Sequence, residues 1–335
     1  MNDIDGREIL ITGGTGSLGK ALVKLLKARF KPRGIRVYSR SELKQSEMIA
    51  DVGKEHIAYI IGDVRDSQAL TRACKGVDII INCAAMKRVE TSEANPLECT
   101  LTNVNGAANL VYAALANDVD KVFHISTDKA VYPTTLYGST KKVAEDIIIQ
   151  ANTYGFGVPR RPIFSCARYG NVFGSNGSVI HTFKKQVSQH FNKAQSPEKM
   201  MVDPPTLTIT DARMTRFWIT LEEVARFILA RISDMEGGEV YIPNMPSMPI
   251  VDIAKTVCPE ATLDFVGIRG QEKIHECLVT EEESPYTIKH MSGGQVTHFE
   301  INHKKVPEED RWSFCSGDNP WQLTRDELRK MLEEL

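Results

Sequence analysis

The sequence predicts an α/β protein: a doubly wound parallel sheet followed by a smaller C-terminal lobe. Two observations carry this. Short apolar runs alternate with longer amphipathic stretches through the first half of the 335 residues, which is the rhythm of parallel strand–helix–strand units. The runs show no apolar–polar alternation, so the sheet they form is covered on both faces.

Strands are expected at Ile9 to Thr12, Ile35 to Tyr38, Ile57 to Ile61, Val77 to Ile81, Val122 to Ile125 and Ile163 to Ala167. Helices are expected between them at Gly19 to Ala28, Glu42 to Asp51, Asp66 to Cys74, Leu97 to Ala116 and Tyr137 to Tyr154. The rhythm changes after about Gly170, where Gly, Pro and short mixed segments dominate, as at Ser196 to Pro205 and Ile242 to Pro249. A first domain over 1–170 and a discontinuous lobe over 171–335 are therefore expected. An amphipathic helix at about 215–232, strongest from Leu221 to Ile232, is expected to pack back on the first domain. Glu281 to Lys305 is too polar to assign.

Composition narrows the function. Forty-one basic residues face 43 acidic ones, a net charge of -2, so the basic excess of a nucleic-acid binder is missing. The seven cysteines stand singly with no C-x-x-C pair, which fits a reducing compartment and buried small hydrophobes better than a disulfide framework. Met1 to Glu8 is polar and acidic, unlike a signal peptide, and no apolar run reaches membrane-span length. A cytoplasmic protein without membrane attachment is expected. The eight histidines form no i, i+4 pair, so no metal is expected.

The first strand runs into Thr12-Gly13-Gly14-Thr15-Gly16-Ser17-Leu18-Gly19 and then at once into a helix. Gly13 allows a tight turn, Gly16 lets the backbone approach a pyrophosphate, and Gly19 lets helix and strand pack closely. Thr15, Ser17 and Leu18 complete a loop whose N–H groups sit at the positive end of the helix. The second strand ends about twenty residues on, where an NAD site places Asp or Glu. This chain has Ser39-Arg40-Ser41, with Lys44 one turn later. A hydroxyl and two cations suit a 2′-phosphate, so the expected cofactor is NADP. Asp63 and Val64, after the third strand, are placed to line the adenine pocket.

The fifth strand ends in Ser126-Thr127-Asp128-Lys129, and Tyr137-Gly138-Ser139-Thr140-Lys141 follows. Tyr137 and Lys141, at i and i+4, share a helix face. An adjacent ammonium favours the phenolate of a tyrosine, which can then take the proton of a carbinol as hydride leaves. Tyr137 and Lys141 thus border both cofactor and substrate.

These residues resemble a known family. Tyr38 to Gln45 (YSRSELKQ), the set Asp128, Lys129, Tyr137 and Lys141, and Arg168 to Val172 (RYGNV) resemble the extended short-chain dehydrogenase/reductases, which have a Rossmann fold. The combination is similar to the inverting UDP-N-acetylglucosamine 4,6-dehydratases of pseudaminic acid biosynthesis. Further similar stretches are Ala84 to Lys87, Asn95 to Cys99, Asp211 to Thr220, Gly238 to Val240, and Gly267 to Arg269 with Glu272 and Lys273. Ordinary nucleotide-sugar dehydratases carry Asp-Glu where this chain has Asp128-Lys129. The chain departs from the pattern at Gln189 to Leu207, Gly270-Gln271 and Gly293 to Lys305.

The resemblance implies that Thr127, Asp128, Lys129 and Tyr137 are catalytic, supported by Lys141. It implies that Lys87, Asn171, Thr210, Arg269 and Glu272 touch the substrate, with Lys87 also reaching the cofactor. The implied reaction converts UDP-N-acetylglucosamine to UDP-2-acetamido-2,6-dideoxy-4-keto-L-arabino-hexose, with inversion at carbon 5 and internal hydride transfer through NADP, in a homo-oligomer. Arg213 and Arg216 are open between phosphate contact and ordinary ion pairs. A nucleotide-sugar 4-epimerase and a retaining 4,6-dehydratase are the alternatives. A reductase and a cofactor-sensing regulator account less well for an intact Asp, Lys, Tyr and Lys set.

Overall fold

The computed structural model describes residues 3–154, 162–174, 178–193, 204–268, 270–304 and 310–333. Along the chain come β1 (Glu8–Thr12), α1 (Ser17–Arg29), β2 (Gly34–Ser39), α2 (Glu42–Val52), β3 (Ile57–Ile61), α3 (Ser67–Ala73) and β4 (Ile79–Asn82). Then follow α4 (Val89–Ala94), α5 (Pro96–Thr100), α6 (Gly106–Leu115), β5 (Lys121–Ile125), α7 (Leu136–Gln150) and β6 (Ile163–Ala167). The later chain forms β7 (Asn171–Phe173), α8 (Val179–Lys193), β8 (Thr206–Ile209), β9 (Thr215–Thr220), α9 (Leu221–Asp234), β10 (Val240–Pro243) and β11 (Ser247–Pro249). It closes with α10 (Ile250–Val257), β12 (Thr262–Phe265), β13 (Cys277–Val279), β14 (Thr287–Ser292), β15 (Gln295–Ile301), β16 (Phe314–Cys315) and α11 (Arg325–Glu333).

The chain divides into two compact units. The first comprises Met1–Tyr169, Leu221–Asn244 and Val279–Trp312. Among the described residues it holds a nine-stranded sheet in the order β14-β15-β10-β6-β5-β4-β1-β2-β3. Strands β3 through β10 pair in parallel, while β15 and β14 run antiparallel at one end. All of β4 is buried, as a strand covered by helices on both faces must be. The chain starts in the middle at β1, winds outward to β3, then crosses to β4. The reversal lies between β1 and β4, and ligands bind at the carboxyl ends of strands flanking such a point.

The expected cut at 170/171 differs from this division. Leu221–Asn244 and Val279–Trp312 belong to the first unit: β10, β14 and β15 prolong its sheet, and α9, the helix expected to pack back on this domain, lies against α1. The unassigned polar segment is largely a hairpin. Gly293 and Gly294, both at positive φ, join β14 to β15, the two-residue turn whose twist matches paired strands. A register shift bulges the pair between His290 and Met291. The expected helix over Leu97 to Ala116 is also interrupted, by a π-helical turn at Leu101–Asn105.

The second unit comprises Gly170–Thr220, Met245–Leu278 and Ser313–Leu335. It holds a three-stranded sheet, β11-β9-β7, with β12 paired to β8 and β13 to β16. Phe173, Phe183, Trp218, Ile253 and Leu328 lie in its core. A disulfide joins Cys277 to Cys315, against the expectation of unpaired cysteines. The pairing of β13 with β16 brings together residues 38 apart in sequence, a neighbourhood that no local spacing encodes. The other cysteines are free: Cys74, Cys99, Cys166 and Cys258 are buried, and Cys83 is half-buried.

Candidate active site

The glycine loop closes against the sheet as its spacing predicts. Gly13 has φ +63, and a Cβ there would meet the Ala84 backbone at 2.8 Å. A Cβ on Gly19 would meet the Gly14 carbonyl oxygen at 2.4 Å, so the loop can lie against the residues after β4, and α1 against the loop, only without a side chain at Gly13 and Gly19 respectively. Helix α1 begins at Ser17 after Gly16, with no side-chain cap on its first N–H groups. Those donors need a partner. A bare helix start in a backbone cradle fits the pyrophosphate of a dinucleotide.

At the end of β2 the three residues expected to meet a 2′-phosphate are placed differently. Ser39 is buried and its hydroxyl accepts from Gln45 at 3.1 Å. Arg40 is exposed, 3.9 Å from Asp63, and Lys44 is exposed on the first turn of α2. Ser41 caps that helix by accepting from the Lys44 N–H. Burial alone would raise the Asp63 carboxyl, but hydrogen bonds from Arg65 carry it below its usual value. Val64 is buried beside Gly106, where a Cβ would come within 2.8 Å of it.

The residues expected to be catalytic gather where β5 ends and α7 begins. Thr127 starts the 3₁₀ turn Asp128–Ala130, and Thr135 caps α7. Gly138 lets the helix approach this turn, since a Cβ there would lie 2.3 Å from the Lys129 carbonyl oxygen. Thr127, Asp128, Tyr137 and Lys141 are buried, and Lys129 is partly exposed. Asp128 accepts from Thr127 Oγ1 at 2.8 Å and meets Lys129 Nζ at 3.2 Å. Burial pushes Tyr137 up to about 12, with the Lys129 charge and the Thr127 hydroxyl pulling the other way. Burial likewise pushes Lys141 down to about 8.

Behind this set lie residues that sequence reasoning missed. Lys141 Nζ donates to the Ile125 carbonyl at 2.5 Å and lies 3.0 Å from His124 Nε2. His124 Nδ1 lies 2.8 Å from the Asn82 amide, which accepts from Thr12 at 2.5 Å. Burial, then the Lys141 charge, push His124 well below its ordinary value, so it stays neutral. Asn103, in the π-helical turn, donates to Thr140 at 3.0 Å and to the Met86 carbonyl at 3.1 Å. It thereby ties the loop before Lys87 to α7. Ser126 donates to Glu145 at 2.7 Å, and Arg168 bridges Glu145 (2.6 Å) and Glu283 (2.7 Å). Burial would raise Glu145, yet the Arg168 guanidinium holds it at about 2. The sequence signal for this layer is a polar residue, such as His124, inside an otherwise apolar strand.

The expected substrate contacts belong to both units. Lys87 is exposed in the loop after β4, in the first unit. Asn171 on β7, Thr210 just after β8 and exposed Glu272 belong to the second unit. Arg269 lies outside the described residues. Arg213 pairs with Asp211 at 2.8 Å, and Arg216 donates to the carbonyls of Thr215, Lys273 and Ile274. Both arginines therefore have local partners. Among the described residues, no cluster could hold a metal and no helix is long and apolar enough to cross a membrane.

A doubly wound sheet with a glycine cradle after β1 and a buried Tyr137–Lys141 pair beside β5 defines an extended short-chain dehydrogenase/reductase. The comparisons agree. The chain belongs to the family described as polysaccharide biosynthesis protein, whose model matches residues 9–297. It is 40% identical to a Campylobacter jejuni UDP-N-acetylglucosamine 4,6-dehydratase (inverting), over 97% of this chain and 96% of that one. It is 36% identical to a UDP-glucose 4-epimerase of Rickettsia bellii, over 83% of this chain and 79% of that one. Among solved structures it is similar to Pen from Bacillus thuringiensis, with a TM-score of 0.85, 30% identity, and coverage of 99% and 98% of the two chains.

Proposed function

We propose that this protein is an inverting UDP-N-acetylglucosamine 4,6-dehydratase that uses NADP as a bound, regenerated cofactor. The product is UDP-2-acetamido-2,6-dideoxy-4-keto-L-arabino-hexose, a precursor of pseudaminic-type sugars made in the cytoplasm. The observation that carries the reading is the turn in which buried Asp128 meets Lys129 at 3.2 Å, set against the Tyr137–Lys141 helix. Such a turn supplies an acid and a base for elimination, beyond what simple oxidation needs.

A nicotinamide dinucleotide held by the Gly13–Gly19 loop would supply the acceptor for hydride from carbon 4 and the donor for carbon 6. Tyr137 takes the proton of the 4-hydroxyl, with the Lys141 charge favouring its phenolate. The resulting ketone acidifies the proton on carbon 5, which Lys129 removes as its neutral amine. Asp128 protonates the departing 6-hydroxyl. The partly exposed Lys129 stem then delivers a proton to the opposite face of carbon 5, inverting it. Arg40 and Lys44, as exposed cations at the end of β2, support a 2′-phosphate and hence NADP. Lys87, Asn171, Thr210, Arg269 and Glu272 are the proposed sugar-nucleotide contacts. Exposed Leu97, Tyr112 and Val143 support a homo-oligomer that covers them.

A 4-epimerase is the second reading, favoured by the Rickettsia relative. Incubation with UDP-N-acetylglucosamine and catalytic NADP, without added NADPH, separates the two. The dehydratase releases a product lighter by one water, with the L-configuration at carbon 5 by NMR. An isomer of unchanged mass identifies the epimerase, and retained configuration defeats the inverting assignment.

A further inference from the structure

A row of polar side chains crosses three neighbouring strands and ends on Lys141. Thr12 stands opposite Asn82 in the register of β1 with β4, and Asn82 opposite His124 in the register of β4 with β5. Residues paired in this way share one face of the sheet, and all three are buried, as is Lys141. Thr12 Oγ1 donates to Asn82 Oδ1 at 2.5 Å, Asn82 Nδ2 lies 2.8 Å from His124 Nδ1, and His124 Nε2 lies 3.0 Å from Lys141 Nζ. The Ala84 N–H donates to Thr12 Oγ1 at 3.4 Å at one end, and the Ile125 carbonyl accepts from Lys141 at 2.5 Å at the other. A buried polar row is costly unless each member is satisfied.

Valence allows the row two polarities. A neutral imidazole has one N–H and one lone pair, and an ammonium has no lone pair. While Asn82 donates to Nδ1, the ring proton sits on Nε2 and faces Lys141, which can accept it only as a neutral amine. With the proton on Nδ1, Nε2 accepts from the Lys141 ammonium. Asn82 then turns its oxygen to the ring and its N–H to Thr12. Each polarity fits one charge state of Lys141. The bond from the ammonium is charge-assisted and roughly twice as strong as its neutral counterpart, so the ring favours the charged lysine on balance.

Other groups face Lys141 and keep their charge while it titrates. Burial would raise Glu145, one turn along α7, but Arg168, 2.6 Å away, holds it at about 2. Burial pushes Cys83, after β4, up to about 12 and raises Cys166, on β6, well above its ordinary value. Tyr137 is likewise pushed up to about 12 by burial.

We propose that His124 is a positioning residue for the reaction: by exchanging tautomers it partners Lys141 in both charge states, and it sustains the buried ammonium that favours the Tyr137 phenolate. The inference rests on the role given above to Tyr137 and Lys141. The ring gains at one nitrogen the proton that it gives up at the other, so the net change is one proton taken from water by Lys141.

The test follows the ring of His124 by nitrogen NMR of the full chain labelled in histidine, without substrate, its signals assigned by their loss in His124→Gln. From about pH 6.5 to 10.4, the ordinary values of histidine and lysine, the ring should stay neutral while its proton moves from Nδ1 to Nε2. Lys141→Met should abolish the move. The proposal is overturned if one nitrogen holds the proton throughout, if both hold one, or if the move survives Lys141→Met. Kinetics give a second readout, the formation of reduced nicotinamide from UDP-N-acetylglucosamine by the NADP-loaded protein in a single turnover. In His124→Leu the alkaline limb of its pH profile should move down by about one pH unit, the value of one lost hydrogen bond. His124→Gln, whose amide oxygen can still accept from Lys141, should keep the native limb. A loss in His124→Leu that is equal at every pH, as packing alone would give, overturns the proposal, and so does a glutamine variant that shifts as far as leucine. A native protein that forms reduced nicotinamide but removes no water overturns the dehydratase reading, while the ring, followed without substrate, decides the row separately.

Discussion

Lys141 shows what one buried ammonium does. Burial lowers it from 10.5 to about 8, so the folded chain binds fewer protons than the unfolded chain between those values. Stability therefore rises with pH across that window. Below it, the buried charge opposes folding by roughly 3 kcal/mol, at about 1.4 kcal/mol per pKa unit. Relative to Lys141→Met, the native protein should gain thermal stability as pH climbs from about 8 toward 10.5, and a falling difference would contradict this. At the proposed cofactor site, Arg40→Asp should weaken NADP by about 1.5–3 kcal/mol, the value of a charge-assisted bond, and NAD far less. Equal native affinity for the two dinucleotides, measured by calorimetry, defeats the NADP assignment. Tyr137 and Lys141 were legible because helix periodicity puts i and i+4 on one face. The support behind them was not. His124 reaches Lys141 from 17 residues away, and Arg168 reaches Glu283 from 115 away, and no local pattern records such contacts.

Among the elements, α7 depends on its glycine. Gly138→Ala would drive a methyl to 2.3 Å from the Lys129 carbonyl oxygen, and backbone cannot swing aside as a side chain can. Overpacking of this kind costs about 1–3 kcal/mol. Both melting temperature and turnover should fall, because the helix carrying Tyr137 must move off the turn carrying Asp128. A variant with native turnover would show that the approach is unnecessary. The inner parallel strands were readable within a residue or two, since burial on both faces leaves long apolar runs. Strands β14 and β15 were not, because much of β14 is exposed and its residues read as polar. Their one sharp signal was Gly293-Gly294.

At the scale of the whole molecule, Arg168 joins the end of β6 to α7 and to the turn after β13, all within the first unit. Arg168→Met takes the bidentate partner from the buried Glu145 carboxylate and leaves it Ser126 and the Lys142 ammonium at 3.5 Å; breaking a buried pair from one side costs about 3–5 kcal/mol. Denaturant unfolding should show this loss at neutral pH. It should shrink in acid or on adding Glu145→Gln, both of which remove the stranded charge. A loss that persists unchanged in the double variant would mean that packing, and not charge, is what Arg168 supplies. The same large sheet has a boundary that must not grow. Among the described residues β14 pairs only with β15, and its outer side would present a ladder of unused donors and acceptors to any passing extended chain. The shift between His290 and Met291 breaks that ladder midway, and Lys289, set over the Trp312 ring at 4.0 Å, adds a charge beside it. A kinked, charged rim is a poor template for another strand, so this small irregularity guards the protein against edge-to-edge aggregation.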